Sequence, residues 1–210
     1  MSYTVFIVDD DPGVLRALSR LLRTAAYETR TFASPRDFLA KHDPSVPGCA
    51  VLDVAMPGLD GLQLQHALGG ADRPIIFITG KADVPTSVQA MKAGAIDFLT
   101  KPVSGDDLLA AIARARQAEA LARRVRSERA EIEAGLAKLT PRERQVLTRV
   151  VAGRLNKQIA GELGTVEKTI KVHRARMMSK LGVRTVQDLV RLAERVDIRP
   201  SSDVAQRGPL

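Results

Sequence analysis

The chain has 210 residues, with 32 Lys and Arg against 24 Asp and Glu, so its formal net charge is +8. This length fits one large or two small domains, and 45% hydrophobic residues with 27% charged residues argues against a disordered chain. The chain has a single cysteine, which excludes an internal disulfide. No apolar run approaches the length of a membrane span, and no signal-like segment opens the chain. We therefore expect a soluble cytoplasmic protein without membrane contact.

The charge is unevenly distributed along the chain. Residues 1–122 contain 12 Lys and Arg and 14 Asp and Glu, a net charge of −2. Residues 123–210 contain 20 and 10, a net charge of +10. Such asymmetry predicts a near-neutral module joined to a module that binds a polyanion, and nucleic acid is the leading candidate.

Short β-branched runs and helix-like repeats alternate through the first 122 residues. We predict five strands, near 3–8, 28–32, 50–52, 75–78 and 96–99. An N-cap residue followed by proline marks helix starts at Asp11-Pro12 and Ser34-Pro35. Strands that alternate with helices pair in parallel, so the pattern predicts an α/β domain with helices on both faces of a parallel sheet.

Four of these strands end in polar side chains, namely Asp9 and Asp10, Asp53, Thr79, and Lys101. The carboxyl ends of parallel strands meet at one sheet edge, where open α/β sheets bind ligands. Carboxylates brought together repel unless a cation neutralises them, and Mg²⁺ suits an all-oxygen cluster. A carboxylate can also accept a phosphoryl group, whose oxygens an ammonium and a hydroxyl can bind. The constellation predicts metal-assisted phosphoryl transfer to an aspartate.

Four motifs in this region resemble those of response-regulator receiver domains. They are Val8-Asp9-Asp10-Asp11, Val51-Leu52-Asp53-Val54-Ala55-Met56-Pro57-Gly58, Ile78-Thr79-Gly80 and Phe98-Leu99-Thr100-Lys101-Pro102. The resemblance covers residues 3 to about 122. It implies a flavodoxin-like fold with five parallel strands and a histidine kinase that supplies the phosphoryl group.

The same resemblance implies a metal and phosphoacceptor site. By position it makes Asp53 the phosphoacceptor and a ligand of Mg²⁺ or Mn²⁺. It makes Asp10 a direct metal ligand and Asp9 a mostly water-mediated one. The backbone carbonyl of Ala55 is the remaining implied protein ligand.

The resemblance also implies a switch that reads the phosphoryl group. Thr79 corresponds to the switch hydroxyl, Lys101 to the lysine that pairs with the phosphoryl group, and Phe98 to the switch aromatic. The helix over 84–93 and the strand after it correspond to a dimer surface. Homodimer formation is therefore expected when Asp53 is phosphorylated.

A long helix is predicted to leave this first domain. Apolar residues recur every three or four positions from Leu108 towards Leu136, and neither Pro nor Gly interrupts them before Gly135. Either this helix continues through 123–134 as a stiff linker or short coiled coil, or it frays before residue 134. The sequence leaves the two alternatives open.

Shorter helices follow and predict a helix-turn-helix. Thr140-Pro141 with Glu143 is a capping box, and Asn156 begins the next helix. The turn Gly164-Thr165-Val166 leads to a helix over 167–181. We assign one face of this helix to the core, namely Val166, Ile170, His173, Met177 and Leu181. The opposite face suits a DNA major groove and comprises Lys168, Lys171, Val172, Ala175 and Ser179.

Residues 137–197 resemble the LuxR/FixJ-type helix-turn-helix domain. The resemblance rests on Leu139-Thr140-Pro141-Arg142-Glu143, Asn156-Lys157-Gln158-Ile159-Ala160, Thr169-Ile170-Lys171-Val172-His173-Arg174 and Lys180-Leu181-Gly182-Val183. It makes Lys171, Val172 and Ala175 base-facing. It also implies that the helix opening at Thr185 dimerises on DNA. By helix geometry we add further contacts to DNA phosphates, namely Lys157, Thr169, Arg176 and Lys180.

The expected organisation is a receiver domain over 1–122, a linker helix over 123–136, an all-α helix-turn-helix domain over 137–200 and a disordered tail over 201–210. The expected function is a transcriptional regulator of a two-component system that binds double-stranded DNA under control of phosphorylation.

Two alternatives compete with this function. A phosphatase acting on small molecules would favour a second acid two residues after Asp53, and Ala55 stands there, so we expect no enzyme. A constitutive DNA-binding protein with a structural receiver-like dimer module is disfavoured by the complete set of strand-end residues.

Overall fold

The computed structural model describes residues 3–68, 73–80 and 84–198. The chain divides into two compact units, Met1–Arg124 and Val125–Leu210, and each has its own hydrophobic core. The tail predicted over 201–210 lies outside the described residues. Among the described helices, none has the length and apolar character that crossing a membrane requires.

The first unit is an alternation of strands and helices. Its strands are β1 (Thr4–Val8), β2 (Glu28–Phe32), β3 (Gly48–Asp53), β4 (Ile75–Thr79) and β5 (Asp97–Thr100). Its helices are α1 (Pro12–Thr24), α2 (Pro35–Lys41), α3 (Gly61–Ala67), α4 (Val84–Lys92) and the start of α5 (Gly105–Ala137). The last strand begins one residue later than the sequence pattern predicts.

The five strands form one sheet in the order β2-β1-β3-β4-β5, and every neighbouring pair is parallel. Side chains of one strand alternate between its two faces, so Val5 and Ile7 pack in one buried cluster and Phe6 and Val8 in another. Strands β1, β3 and β4 are buried along their whole length, as expected where helices cover both faces. The predicted α/β fold is confirmed.

Side-chain caps fix where the helices begin after the strands. The Asp11 carboxylate accepts a hydrogen bond from the Gly13 amide at 2.6 Å. Ser34 caps α2 through the Asp37 amide at 3.1 Å. Each cap satisfies an amide that the helix cannot pair by itself, so the chain turns at a defined residue near the carboxyl edge of the sheet.

The predicted linker segment is helical in the structure. Helix α5 runs from Gly105 to Ala137 and includes residues 123–134. An ion pair between Arg129 and Glu133, 2.9 Å apart, supports it at the i, i+4 spacing. The sequence left open whether the helix continues through 123–134 or frays before residue 134, and the structure shows it continuing.

The second unit contains α6 (Pro141–Val151), α7 (Asn156–Glu162), α8 (Glu167–Lys180) and α9 (Val186–Arg195) after the end of α5. The predicted capping box opens α6, with the Thr140 amide donating to Glu143 at 2.9 Å and the Glu143 amide to the Thr140 hydroxyl at 3.2 Å. A core of apolar side chains from these helices closes around Ile170 and Met177, which are fully buried.

The core face predicted for α8 is partly wrong. Ile170 and Met177 are buried, but Val166 is 65% exposed. Val166 occupies the N-cap position with extended backbone angles, φ −100° and ψ 153°, so the helical spacing that assigned it to the core does not apply there. His173 and Leu181 are only half-buried.

Gly48 is the position where strand pairing most clearly requires glycine. It lies opposite Thr4 in the β1–β3 ladder, and a Cβ placed on it would come within 2.0 Å of the Thr4 carbonyl oxygen. We expect Gly48→Ala to lower the free energy of unfolding of the first unit by roughly 1–3 kcal/mol, since the strands must separate to admit the methyl group.

Thermal unfolding followed by circular dichroism measures this loss. Gly80→Ala is the matched control, because a Cβ at Gly80 meets nothing within 4 Å. Equal melting temperatures for the two variants would contradict the prediction.

Candidate functional site

The strand ends bring three carboxylates together. Asp9 and Asp10 directly follow β1, and Asp53 is the last residue of β3. One oxygen from each of the three carboxylates lies within 4.8 Å of the others. Asp9 is fully buried and Asp53 nearly so, whereas Asp10 is exposed. The sequence prediction that these acids meet is therefore realised in the fold.

Lys101, one residue after β5, supplies a positive charge to this pocket. Its ammonium donates a hydrogen bond to Asp9 Oδ2 at 2.7 Å and lies 3.4 Å from Asp53 Oδ1. Its backbone amide donates to the Thr79 carbonyl at 2.7 Å, which ties the end of β5 to the end of β4. Burial opposes the charged ammonium, but the Asp9 hydrogen bond and the two carboxylates outweigh it and raise the pKa of Lys101.

The Asp53 carboxylate is electrostatically costly in this position. Burial raises the pKa of Asp53 above its ordinary value; the Lys101 charge opposes the shift, and the Asp9 charge adds to it. Asp53 Oδ1 is buried and accepts no hydrogen bond from the described residues. A buried carboxylate oxygen without a hydrogen-bond donor is a poor resting state, and it fits a site that receives a cation or a new covalent group.

The remaining predicted pocket residues lie around these groups. Thr79 ends β4 and is buried, and Phe98 is half-buried with its ring centroid 6.2 Å from that of Phe77. Ala55 lies in the loop after Asp53 with an exposed side chain, and its backbone amide acts to lower the pKa of Asp53. This places Ala55 beside the acids.

Helix α4, next to the pocket in chain order, carries exposed apolar side chains. Val84 is 75% exposed, Val88 44% and Met91 46%. They recur at spacings of four and three residues and so follow one side of the helix. Exposed apolar side chains grouped in this way form a candidate contact surface.

A second candidate site lies on α8. Lys168, Lys171, Val172 and Ala175 are exposed, as the sequence predicts for the groove-facing side. Lys171 lies 3.3 Å from Glu167 in an exposed i, i+4 pair, which leaves its ammonium accessible to solvent. Among the predicted phosphate contacts, Lys157 and Arg176 are exposed and Thr169 is half-buried.

Lys180 differs from the other predicted DNA contacts. Its ammonium donates hydrogen bonds to the Glu143 carboxylate at 2.6 Å and to the Lys138 carbonyl at 3.0 Å, although the residue itself is exposed. The helix face on which Lys180 falls suggested a phosphate contact, but the long side chain turns back to a buried acid that sequence spacing does not reveal. This pairing argues against Lys180 as a free phosphate contact.

Models of two protein families match the chain. Residues 5–113 match the response regulator receiver domain. Residues 137–193 match the bacterial regulatory proteins of the luxR family. The matched ranges coincide with the sheet that carries the acidic pocket and with the helices that include α8.

Curated proteins and solved structures give the same picture. The chain is 45% identical over 194 residues to the response regulator protein TmoT of Ectopseudomonas mendocina, covering 91% of this chain and 88% of TmoT. It is 41% identical over 194 residues to the transcriptional regulatory protein FixJ of Bradyrhizobium diazoefficiens, covering 91% and 94%. The structure of the response regulator StyR is similar to this one, with a TM-score of 0.83 and 46% sequence identity. The match covers 93% of this chain and 100% of the StyR chain.

The buried charge of Asp53 should lower the thermal stability of the protein. Since burial disfavours its carboxylate, Asp53→Asn should raise the melting temperature at neutral pH in the presence of a metal chelator. The expected rise is about 2–4 °C, the shift that roughly 1 kcal/mol produces in a protein of this size. Calorimetry measures it.

Lys101→Met is the variant of opposite sign, because it takes the ammonium away from both Asp9 and Asp53 and should lower the melting temperature. A lower melting temperature for Asp53→Asn would show that its carboxylate stabilises the fold and would refute the prediction.

Proposed function

This chain belongs to the transcriptional response regulators that join a receiver domain to a LuxR-type DNA-binding domain, and we propose that phosphorylation of Asp53 controls its binding to DNA. The receiver is assigned to residues 1–122, the linker helix to 123–136 and the DNA-binding domain to 137–200. The observation that carries the proposal is the buried Asp53 carboxylate beside Asp9 and Lys101, in a chain whose other unit presents a basic helix.

The proposed phosphoryl donor is a phosphohistidine of a cognate histidine kinase. One Asp53 carboxylate oxygen attacks the phosphorus atom and the bond from phosphorus to the imidazole nitrogen breaks. The electron pair of that bond returns to the nitrogen, and the ring, which carries a proton on its other nitrogen, leaves as neutral histidine with the kinase. Lys101 is already within 3.4 Å of Asp53 and would pair with the transferred oxygens. The Thr79 hydroxyl, buried at the end of the neighbouring strand, would donate a hydrogen bond to one of them.

The acidic pocket fits a divalent cation. Three carboxylates that converge within 4.8 Å and a buried Asp53 oxygen without a hydrogen-bond donor match the all-oxygen ligand set of Mg²⁺ or Mn²⁺. Asp10, Asp53 and the Ala55 carbonyl would hold the ion, with Asp9 acting mostly through water. When bound, the ion would neutralise charge on the carboxylates and the phosphoryl oxygens during transfer.

Phosphorylation is proposed to shift the receiver towards a dimerising state. A new dianionic group at Asp53 would draw the Thr79 hydroxyl and the Lys101 ammonium, and Phe98 would repack beside them. The exposed apolar side of α4, with Val84, Val88 and Met91, together with β5 is the proposed contact with a second copy.

Helix α8 is the proposed recognition helix in the DNA major groove. Lys171, Val172 and Ala175 would face bases, and Lys168 lies on the same exposed side. Lys157, Thr169 and Arg176 would contact phosphates. Helix α9 is the proposed dimer contact on DNA, so two copies would bind a roughly two-fold symmetric operator. The proposal places the protein in the cytoplasm and gives it no small-molecule turnover.

Phosphoryl labelling tests the first half of this function. We expect wild-type protein to incorporate label from acetyl phosphate in the presence of Mg²⁺ and to lose most incorporation when the metal is chelated. Asp53→Asn should show none, because the amide cannot form an acyl phosphate. Intact-mass spectrometry measures the added phosphoryl group.

Equal labelling of Asp53→Asn and wild type would show that another residue accepts the group. Equal affinity for a selected DNA duplex with and without acetyl phosphate would instead favour a constitutive DNA-binding protein with a structural receiver.

The recognition surface is tested by replacing one exposed lysine of α8 and, as a control, one exposed lysine of the receiver unit. Lys171→Ala should weaken binding to a duplex selected by the wild-type chain about 5- to 100-fold, the cost of one base contact. Lys41→Ala is the matched control, since Lys41 is also an exposed lysine in an i, i+4 ion pair. Fluorescence anisotropy measures both, and similar losses would refute the assigned surface.

A further inference from the structure

Apolar contacts along one side and polar contacts at one end hold the recognition helix in its domain. Of the 14 residues of α8, Ile170 and Met177 are fully buried, and the half-buried Met178 packs on the same core. Apolar packing is non-directional, so it tolerates small changes in the tilt of the helix. A polar contact of defined geometry at the end of the helix therefore adds to its placement.

Lys180, the last residue of α8, makes such a contact. Its ammonium donates to the Glu143 carboxylate at 2.6 Å and to the Lys138 carbonyl at 3.0 Å. The Glu143 side chain is 3% exposed, so the ion pair is screened from solvent on the acid's side. A partly buried charge-assisted hydrogen bond is short and has geometric specificity, which suits it to holding one end of a helix.

Glu143 connects this contact to the rest of the domain. Its carboxylate also accepts the Thr140 amide at 2.9 Å, so a single acid joins the start of α6 to the end of α8. The Lys180 hydrogen bond, followed by those of Thr140, lowers the pKa of Glu143 despite burial. Nearby, a Cβ on Gly135 would lie 3.3 Å from Leu181, which shows how closely the end of α5 approaches the end of α8.

We propose that Lys180 is a positioning residue that sets the docking of the recognition helix through Glu143, and that it does not bind DNA phosphate. The inference rests on the proposed function, because it assumes that α8 reads the major groove. In this role Lys180 neutralises no DNA phosphate, and it contributes instead to discrimination between DNA sequences.

The two roles of a lysine on this helix differ in what they change. A phosphate contact contributes to binding of any sequence and adds about 1 to the slope of log affinity against log salt. A positioning residue changes the fit of base-facing side chains, so its loss lowers affinity for the selected sequence more than affinity for a scrambled one.

The experiment compares Lys180→Met with Lys157→Met in the full-length chain, because Lys157 is an exposed lysine among the proposed phosphate contacts. The probes are a duplex selected from a random library by the wild-type protein and a scrambled duplex of equal length. Anisotropy titrations at several salt concentrations give two readouts, the selected-to-scrambled affinity ratio and the salt slope. Measurements are made well below the melting temperature of each variant.

For Lys180→Met we expect the affinity ratio to fall about 10- to 100-fold, the loss of one or two base contacts, with the salt slope unchanged. For Lys157→Met we expect the slope to fall by about 1. A slope lowered by about 1 in Lys180→Met would show a phosphate contact and overturn the inference. An unchanged ratio, even with a lower melting temperature, would overturn it as well.

Glu143→Gln supplies an independent arm. If Lys180 acts through Glu143, this variant should lower the ratio as Lys180→Met does, and the double variant should lose no more than either alone. If Lys180 instead bound phosphate, Glu143→Gln would release its ammonium from the ion pair and strengthen binding to both duplexes. Failure of the proposed function gives a different result. If α8 does not read the major groove, Lys171→Ala will have the same selected-to-scrambled affinity ratio as the wild-type protein.

Discussion

The ion pair between Lys101 and the buried carboxylates is the interaction on which the receiver depends. One ammonium lies 2.7 Å from Asp9 and 3.4 Å from Asp53 at the carboxyl edge of the sheet. It offsets part of the repulsion between two acids that the fold removes from water, but the Asp53 carboxylate stays disfavoured by burial. The pocket is thus short of positive charge, and a bound divalent cation would make up this deficit.

The two units use charge in different ways. In the first, a few acids and one lysine act at short range because they are buried, where screening by salt is weak. In the second, most basic side chains are exposed, and their effect is a summed field that attracts a polyanion and weakens with salt. Glu143 and Lys180 act differently, because their ion pair joins helix α6 to helix α8.

The sequence predicted the fold and the receiver pocket well because the signals there are local. A strand that ends in Asp or Thr and a helix that starts with a capping residue such as Asp11 can be read from neighbouring positions. Parallel pairing then forces the strand ends together. The prediction failed for Val166, where helical spacing was extended one residue beyond the helix. It also did not reveal the partner of the Lys180 ammonium, since Glu143 lies 37 positions away in the chain.

By itself, the sequence determined which residues form each element, which acids stand at the strand ends and where the positive charge lies. Periodicity, capping and charge counts are properties of neighbouring residues, so they are legible without coordinates. Tertiary structure alone decided that the Lys101 ammonium pairs with Asp9, that Asp53 keeps an oxygen without a hydrogen-bond donor, and that the Lys180 ammonium pairs with Glu143. These facts depend on the direction of flexible side chains between elements distant in sequence, and packing fixes that direction.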